Sequence, residues 1–597
     1  MLLTVLSILA SLTVSATASH PIPTTLCQSS FFTSGDGGLY AEMLQNRAFQ
    51  QVTPGTSAAL NAWHSINGAA LTVVADSVPL SSALPNALQL TIPAGRTGAV
   101  GVGNEGYWGV NVVSGSTYKA SFYYRFPTAS TFKGNVTVGL QTSTGASLVS
   151  SSVPINGATT SWTQVNVALQ PKTSAASTAN NFTVTFDGAA ASGQTVHFGF
   201  FSLFPPTFKD RPNGMRVDIA TVRIDFSSSH LDLRRVATER APGGWFNQKG
   251  QTVATRWQWN ATVGPLINRP GRQGDWGYVN TDGLGLMEYL NWCEDLGMQP
   301  IMAVWSGFAL GGTTALRASL GHPAPFALNY VEVGNEDFFA SSTYPYRWHD
   351  FVTALTAEFP NCVHFIATTD TFNPLLSPNP LQYDVHVYQT PTWFAQNSFF
   401  YDGFQGEYAA ISTNSSDIFG STANGRLTFP TMQSASGEAA FMTGLERNSD
   451  IVFSASYAPL LNTPNLVSFD AGGVYRSTSF YAQKLFSLNR GDEYIPSTLP
   501  TPSGTLFWSV VRKTSTQQII IKISNTVGTA APITFVLPFA TVAPAGTAQV
   551  LTGAATASNT PTAPNRVVPK NSTITTGKTF TYTAPAFSVN VITVVAH

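Results

Sequence analysis

A chain of 597 residues is too long for one ordinary hydrophobic core, and its length predicts about two to four domains. Hydrophobic residues make up 43%, ample for burial, whereas charged residues reach only 10%, far below the usual level of about a quarter. The net charge is −1 with no block of like charges, which removes any electrostatic case for a nucleic acid or a membrane surface as partner.

The chain opens with MLLTVLSILASLTVSATAS, an apolar stretch from Leu2 to Val14 followed by the small-x-small pattern Ala16-Thr17-Ala18. It predicts a signal peptide over 1–18 and a secreted, extracellular protein, although no basic residue precedes the apolar stretch. No later run is long and apolar enough to span a bilayer. Sequons at Asn135, Asn181, Asn260, Asn414 and Asn571 fit export as glycosylation acceptors. Three cysteines allow at most one disulfide, and Cys293, within MEYLNWCEDLG, reads as a buried thiol on an amphipathic helix. No Cys/His cluster has zinc spacing and no Gly-rich phosphate loop follows a strand, so neither a metal nor any other cofactor is expected.

Three textures then follow in order. From about 51 to 205 short alternating runs (KASFYYRF, NVTVGLQTS, NFTVTFDG, TVHFGFFSLF) predict a β-sandwich. Within it NEGYWGV reads first as ordinary core and second as exposed aromatics. From about 206 to 485 apolar runs (PIMAVWSG, NYVEVGNE, HFIATTD, YDVHVYQT, FQGEYAA) alternate with helical patterns such as GLGLMEYLNWCEDLG and YRWHDFVTALTAEF. Buried parallel strands joined by helices mean a doubly wound sheet or a (β/α)8 barrel, and polar residues at the strand ends favour the barrel. Beyond about 486, TLFWSVV, QQIIIKISN, ITFVLPF and FSVNVITVV predict a C-terminal β-sandwich. The fold class is therefore multidomain, α/β and all-β.

The stretch YVEVGNEDFF holds the chemistry. A buried strand ends in Asn335-Glu336-Asp337, so Glu336 should emerge at the C-terminal mouth of the barrel. FQGEYAA places Glu407 at the end of another short strand, three strands later. Two carboxylates across one mouth suit glycoside hydrolysis, in which one donates a proton to the leaving oxygen and the other attacks the anomeric carbon. A lone strand-end Glu would read as a satisfied structural acid; two, after matching strands, read as a pair.

Long segments in a fixed order carry a resemblance over nearly the whole chain from Ser34. They include RWQWNATVGPLINRPGRQGDWGYVNTDGLGLMEYLNWCEDLGMQPIMAVWSGFALGG, YVEVGNEDFF, DVHVYQTPTWF, FQGEYAA and GEAAFMTGLERNSDIVFSASYAPL. They resemble fungal secreted α-L-arabinofuranosidases of glycoside hydrolase family 51. The resemblance implies a retaining enzyme that removes terminal arabinofuranosyl groups from plant cell-wall arabinan or arabinoxylan. It implies Glu336 as acid/base, Glu407 as nucleophile and Asn335 as the residue that holds the 2-hydroxyl. It further implies Trp305 as a sugar-contacting aromatic and Tyr388 as a residue beside the nucleophile. Trp305 reads equally as core packing, and His386 equally as a pocket hydrogen-bonder or a satisfied core histidine. The layout implied is a first barrel strand within 26–50, an inserted carbohydrate-binding-module-like sandwich at 51–205, the barrel at 206–485 and a sandwich tail at 486–597.

Some segments depart from that pattern. Gln28 to Thr33 replace a family Phe-Glu-Asp-Ile-Asn-His, so Ser29 stands where a sugar-contacting Glu is usual, and Trp245 replaces a substrate-binding Asn. Thr313–Leu320 is short for a crossover helix, and the stretch around Leu461–Pro464 is short as well. These losses motivate a second expectation, a carbohydrate-binding protein without turnover on the same scaffold. A related two-Glu barrel enzyme acting on another glycoside is a third.

Overall fold

The computed structural model describes residues 37–227, 258–273, 279–297, 329–334, 336–359, 364–403, 427–452 and 466–597. It also describes the strand segments 10–13, 20–21, 26–29, 238–240, 299–304, 407–412 and 455–457, and residues 322 and 324.

The barrel strands are β1 (Leu26–Ser29), β2 (Thr238–Arg240), β3 (Gln299–Val304), β4 (Tyr330–Val333), β5 (His364–Ala367), β6 (Gln382–Gln389), β7 (Glu407–Ser412) and β8 (Ala455–Tyr457). They form one eight-stranded sheet in the order β2-β3-β4-β5-β6-β7-β8-β1, and every pairing within it is parallel. The end strands β1 and β2 lie alongside each other, so the sheet curls on itself in chain order, as in a (β/α)8 barrel. Of the two arrangements a parallel strand–helix pattern permits, this is the barrel, with β1 drawn from the N-terminal segment.

Helices α1 (Val217–Ser227), α2 (Leu286–Asp295), α3 (Tyr344–Glu358), α4 (Pro391–Gln396), α5 (Met432–Arg447) and α6 (Thr478–Leu488) accompany it. Helix α3 shows why the pattern works. Tyr344, Trp348, Val352 and Leu355 recur at helical spacing, and all four are buried against Val331, Val333 and Ala367 of β4 and β5. Cys293 is buried on α2 in a cluster that also takes Trp292 and Tyr289.

The N-terminal sandwich consists of two five-stranded antiparallel sheets over 63–66 to 195–204. Phe122, Phe182, Phe198 and Phe201 interdigitate at its centre. Leu44 and Phe49, from the connection that precedes it, are buried in the same core. The segment NEGYWGV differs from its first reading: Trp108 is 58% exposed. It sits in the loop after the strand Ala99–Asn104, outside the alternating register that buries Val100 and Val102. The sandwich is seated on the barrel through Gln50, whose Nε2 donates to Arg269 O at 2.8 Å and Thr281 O at 3.1 Å.

The C-terminal domain pairs a seven-stranded sheet with a three-stranded one, whose edge strand is Ala10–Thr13, paired in parallel with Ala531–Val536. The outer face of the seven-stranded sheet, with Val511, Ile520, Val589 and Val591, meets α5 and α6, while its inner face packs on the three-stranded sheet. A buried ion pair between Glu446 on α5 and Lys522 on the strand Gln518–Asn525 ties the two domains together.

Candidate active site

Strand β4 ends because its next residue cannot carry a side chain. Gly334 has φ +100, and a Cβ there would fall 1.8 Å from Asp337 Oδ2. The chain then turns, with Glu336 in the left-handed region at φ 51, into the short helical turn Asp337–Ala340. Asp337 fixes that turn: its N–H donates to Thr368 O at 2.7 Å. Its carboxylate accepts from Thr368 Oγ1 at 2.7 Å and from Arg347 Nη1 at 2.7 Å. The two adjacent acids therefore face different partners: Thr368 and Arg347 hold the Asp337 carboxylate, whereas the Glu336 carboxyl meets His386.

Glu336 is 7% exposed, and its Oε1 lies 2.9 Å from His386 Nδ1. The other ring nitrogen, Nε2, lies 2.7 Å from Asp384 Oδ2. Asp384 and His386 are two apart on β6, hence on one face of the strand. A neutral imidazole donates from one nitrogen and accepts at the other, so it needs one of these carboxyls protonated; an imidazolium donates to both. His386, which read equally as a pocket hydrogen-bonder or a satisfied core histidine, has an enclosed ring that contacts both carboxyls.

Glu407 does not end its strand, as the sequence led us to expect; it opens β7. Pairing runs onward because Tyr408 to Ser412 find partners in Val385 to Gln389. The register nevertheless keeps Glu407 near the mouth. Val333 pairs with Ala367, Ala367 with Tyr383, and Asp384 with Glu407, so Glu407 lies one rung beyond the last residue of β4.

Tyr388 lies on β6 two residues beyond His386, paired with Ile411. Ser29 is the last residue of β1, paired with Tyr457. Asn335, Trp305, Trp245, Thr313–Leu320 and Leu461–Pro464 lie outside the described residues. Of the sequons, Asn135, Asn260 and Asn571 are exposed and Asn181 is half-buried, while Asn414 lies outside the described residues. Among the described residues no group of three His, Cys, Asp or Glu side chains gathers as a metal site.

The sequence reading missed Asp384, although its i, i+2 spacing from His386 in YDVHVYQT was a usable signal. It also missed Tyr344, whose hydroxyl donates to Val333 O at 2.6 Å and accepts from Thr368 N at 3.0 Å, bracing the end of β4.

Residues 231–315 and 312–406 match the family model of the α-L-arabinofuranosidase 1 domain, and 406–588 match that of the α-L-arabinofuranosidase C-terminal domain. A probable α-L-arabinofuranosidase A from Aspergillus flavus is 36% identical over 94% of this chain and 91% of its own. The α-L-arabinofuranosidase A of Aspergillus niger is 34% identical over the same shares. An arabinose-bound structure of a family 51 α-L-arabinofuranosidase is 58% identical, covering 98% of this chain and 100% of that one, with a TM-score of 0.93. The Thermotoga maritima enzyme in its arabinose complex, at 18% identity, 64% and 90% coverage and a TM-score of 0.53, shares the fold. The chain belongs to the α-L-arabinofuranosidases of glycoside hydrolase family 51.

Proposed function

We propose that this glycoside hydrolase, which removes arabinofuranosyl residues, works by double displacement with Glu407 as nucleophile and Glu336 as acid/base. The observation that carries the assignment is the bond between Glu336 and His386 at the end of β4, with Glu407 three strands away on β7. In the first step the Glu407 carboxylate bonds to the anomeric carbon, the glycosidic C–O bond breaks, and Glu336 gives its proton to the leaving oxygen. In the second, Glu336 takes a proton from water as the water oxygen displaces Glu407, releasing arabinose with retained configuration. Asn335, Trp305 and Tyr388 are proposed to hold the sugar, with His386 positioning Glu336.

The proposed substrates are terminal, non-reducing arabinofuranosyl groups on arabinan or arabinoxylan. A chain with 10% charged residues and net charge −1 suits an uncharged polymer. Export fits the apolar leader over 1–18 and the exposed sequons at Asn135, Asn260 and Asn571. A second reading, sugar binding without turnover, is favoured by Ser29 and Trp245, where the family usually carries polar sugar contacts.

Turnover of an aryl α-L-arabinofuranoside, with an aryl xyloside beside it, separates these readings. Glu407→Ala abolishes hydrolysis of every substrate, whereas Glu336→Ala spares good leaving groups and is partly rescued by azide. In a crystal structure the two carboxyls stand roughly 5–5.5 Å apart. Equal loss in both variants on activated and unactivated substrates, or a separation near about 9 Å, overturns the roles. Absence of turnover in folded protein leaves the binding reading.

A further inference from the structure

The loop after the sandwich strand Ala99–Asn104 carries an exposed tryptophan in a backbone conformation that L side chains rarely adopt. Trp108 has φ +59 and is 58% exposed. The surroundings hold it there. Gly106 N–H donates to Asn104 Oδ1 at 2.9 Å, Tyr107 N–H to Met43 O at 3.3 Å and Val110 N–H to Thr178 O at 2.9 Å. The next residue, Gly109, has φ +99, and a Cβ on it would fall 2.1 Å from Thr178 O. The indole is also braced sideways, edge-on to Phe469 with ring centres 5.7 Å apart and tilted to Tyr107 at 5.9 Å.

Tyr107 and Trp108 border a cleft of about 1060 Å³ whose opposite wall is the barrel segment Val279–Leu284. That segment leads into α2, a crossover helix that runs antiparallel to the strands, so it lies at their C-terminal ends. Phe469 belongs to the hairpin Val467–Arg476 between β8 and α6, on the same end. The cleft therefore opens on the face of the barrel that presents Glu336. Glu105, Asn61 and Asn181 supply hydrogen-bonding groups around the aromatics.

We propose that this cleft is a second sugar-binding subsite, with Trp108 as the stacking platform, for the uncharged polysaccharide chain whose side groups the barrel removes. The proposal rests on the function given above. A rigid aromatic face ringed by amides and a carboxylate suits a pyranose or furanose ring, which offers an apolar C–H face and a rim of hydroxyls. The sequon residue Asn181 lies on the same wall, so a glycan attached there is the competing occupant.

The test uses the full-length protein with Trp108→Ala and Trp108→Gly, the second relieving the backbone strain while removing the same ring. Each is assayed on an aryl arabinofuranoside and on soluble arabinoxylan, and by retardation in a gel containing that polymer. Both variants leave the aryl substrate within about twofold of the parent and raise the KM for polymer about tenfold with kcat unchanged, with weaker retardation. Unchanged polymer KM and retardation overturn the proposal, as does an equal loss on the aryl substrate. Enzymatic removal of N-glycans identifies the occupant: an effect of Trp108 that persists afterwards supports the polymer, and one that vanishes assigns the cleft to the attached glycan and overturns it. Should the parent protein turn over no aryl substrate, the function above fails, while retardation by polymer that depends on Trp108 still supports the subsite.

Discussion

Glu336 and His386 are 50 residues apart in the chain and meet at 2.9 Å. The imidazole is anchored on its far side by Asp384 at 2.7 Å, so it fixes where the Glu336 carboxyl points. His386→Ala leaves the acid in place but unaligned, and misplacement on the order of 1 Å costs as much as a hundredfold. We expect kcat/KM on unactivated substrates to fall roughly ten- to hundredfold, with a smaller loss where the leaving group needs little protonation. Steady-state kinetics on a leaving-group series checks this; a uniform loss across the series would contradict it.

Gly334 and Asp337 share one turn, and there is no space between them. Gly334→Ala places a methyl 1.8 Å from Asp337 Oδ2 at φ +100, so the turn must open. Strained backbone and displaced Asp337 together cost about 2–4 kcal/mol. Denaturant unfolding reads that loss, and turnover falls with it because Glu336 sits on the same turn.

Tyr344 is fully buried, and burial pushes its phenol well above the ordinary value, so the hydroxyl stays protonated. Tyr344→Phe removes a donor to Val333 O and an acceptor for Thr368 N–H, leaving a buried N–H unpaired. The expected loss is about 1–3 kcal/mol in unfolding free energy, without change in the pH profile of activity.

The N-terminal sandwich carries an acid-sensitive contact. Burial alone would raise the Asp76 carboxyl, but hydrogen bonds from Arg125, the Val78 N–H and His197 outweigh it and hold Asp76 below its ordinary value of 3.8. A depressed carboxyl contributes stability that is fully present above the unfolded value and is lost as pH falls through the folded one. Thermal melts taken from about pH 5 down to pH 2 should show a falling midpoint that Asp76→Asn flattens. At neutral pH the same variant melts lower, because Arg125 and His197 lose their partner. A slope unaltered by the substitution would refute the assignment.

Most elements were legible in the sequence because their signals are local. The run NYVEVGNE gave β4, and HFIATTD and YDVHVYQT gave β5 and β6, since strands covered on both faces are apolar throughout. The helical pattern YRWHDFVTALTAEF gave α3, and alternation gave the strands of both sandwiches. Glu336 was legible too, as an acid directly after a buried strand.

Tertiary structure decided what depends on register and on contacts between distant segments. That Asp337 braces the turn while Glu336 faces His386 follows from where Thr368 and Arg347 arrive, and no local pattern distinguishes two neighbouring acids. Glu407 opens β7 because the strand beside it offers partners as far as Gln389, a property of β6 and not of FQGEYAA. Trp108 is exposed because glycines turn its loop out of the alternating register that buries Val100 and Val102. Local propensity and periodicity set which residues form each strand and helix, but side-chain partners are set by which strands lie side by side and at what offset, and only the closed barrel fixes both.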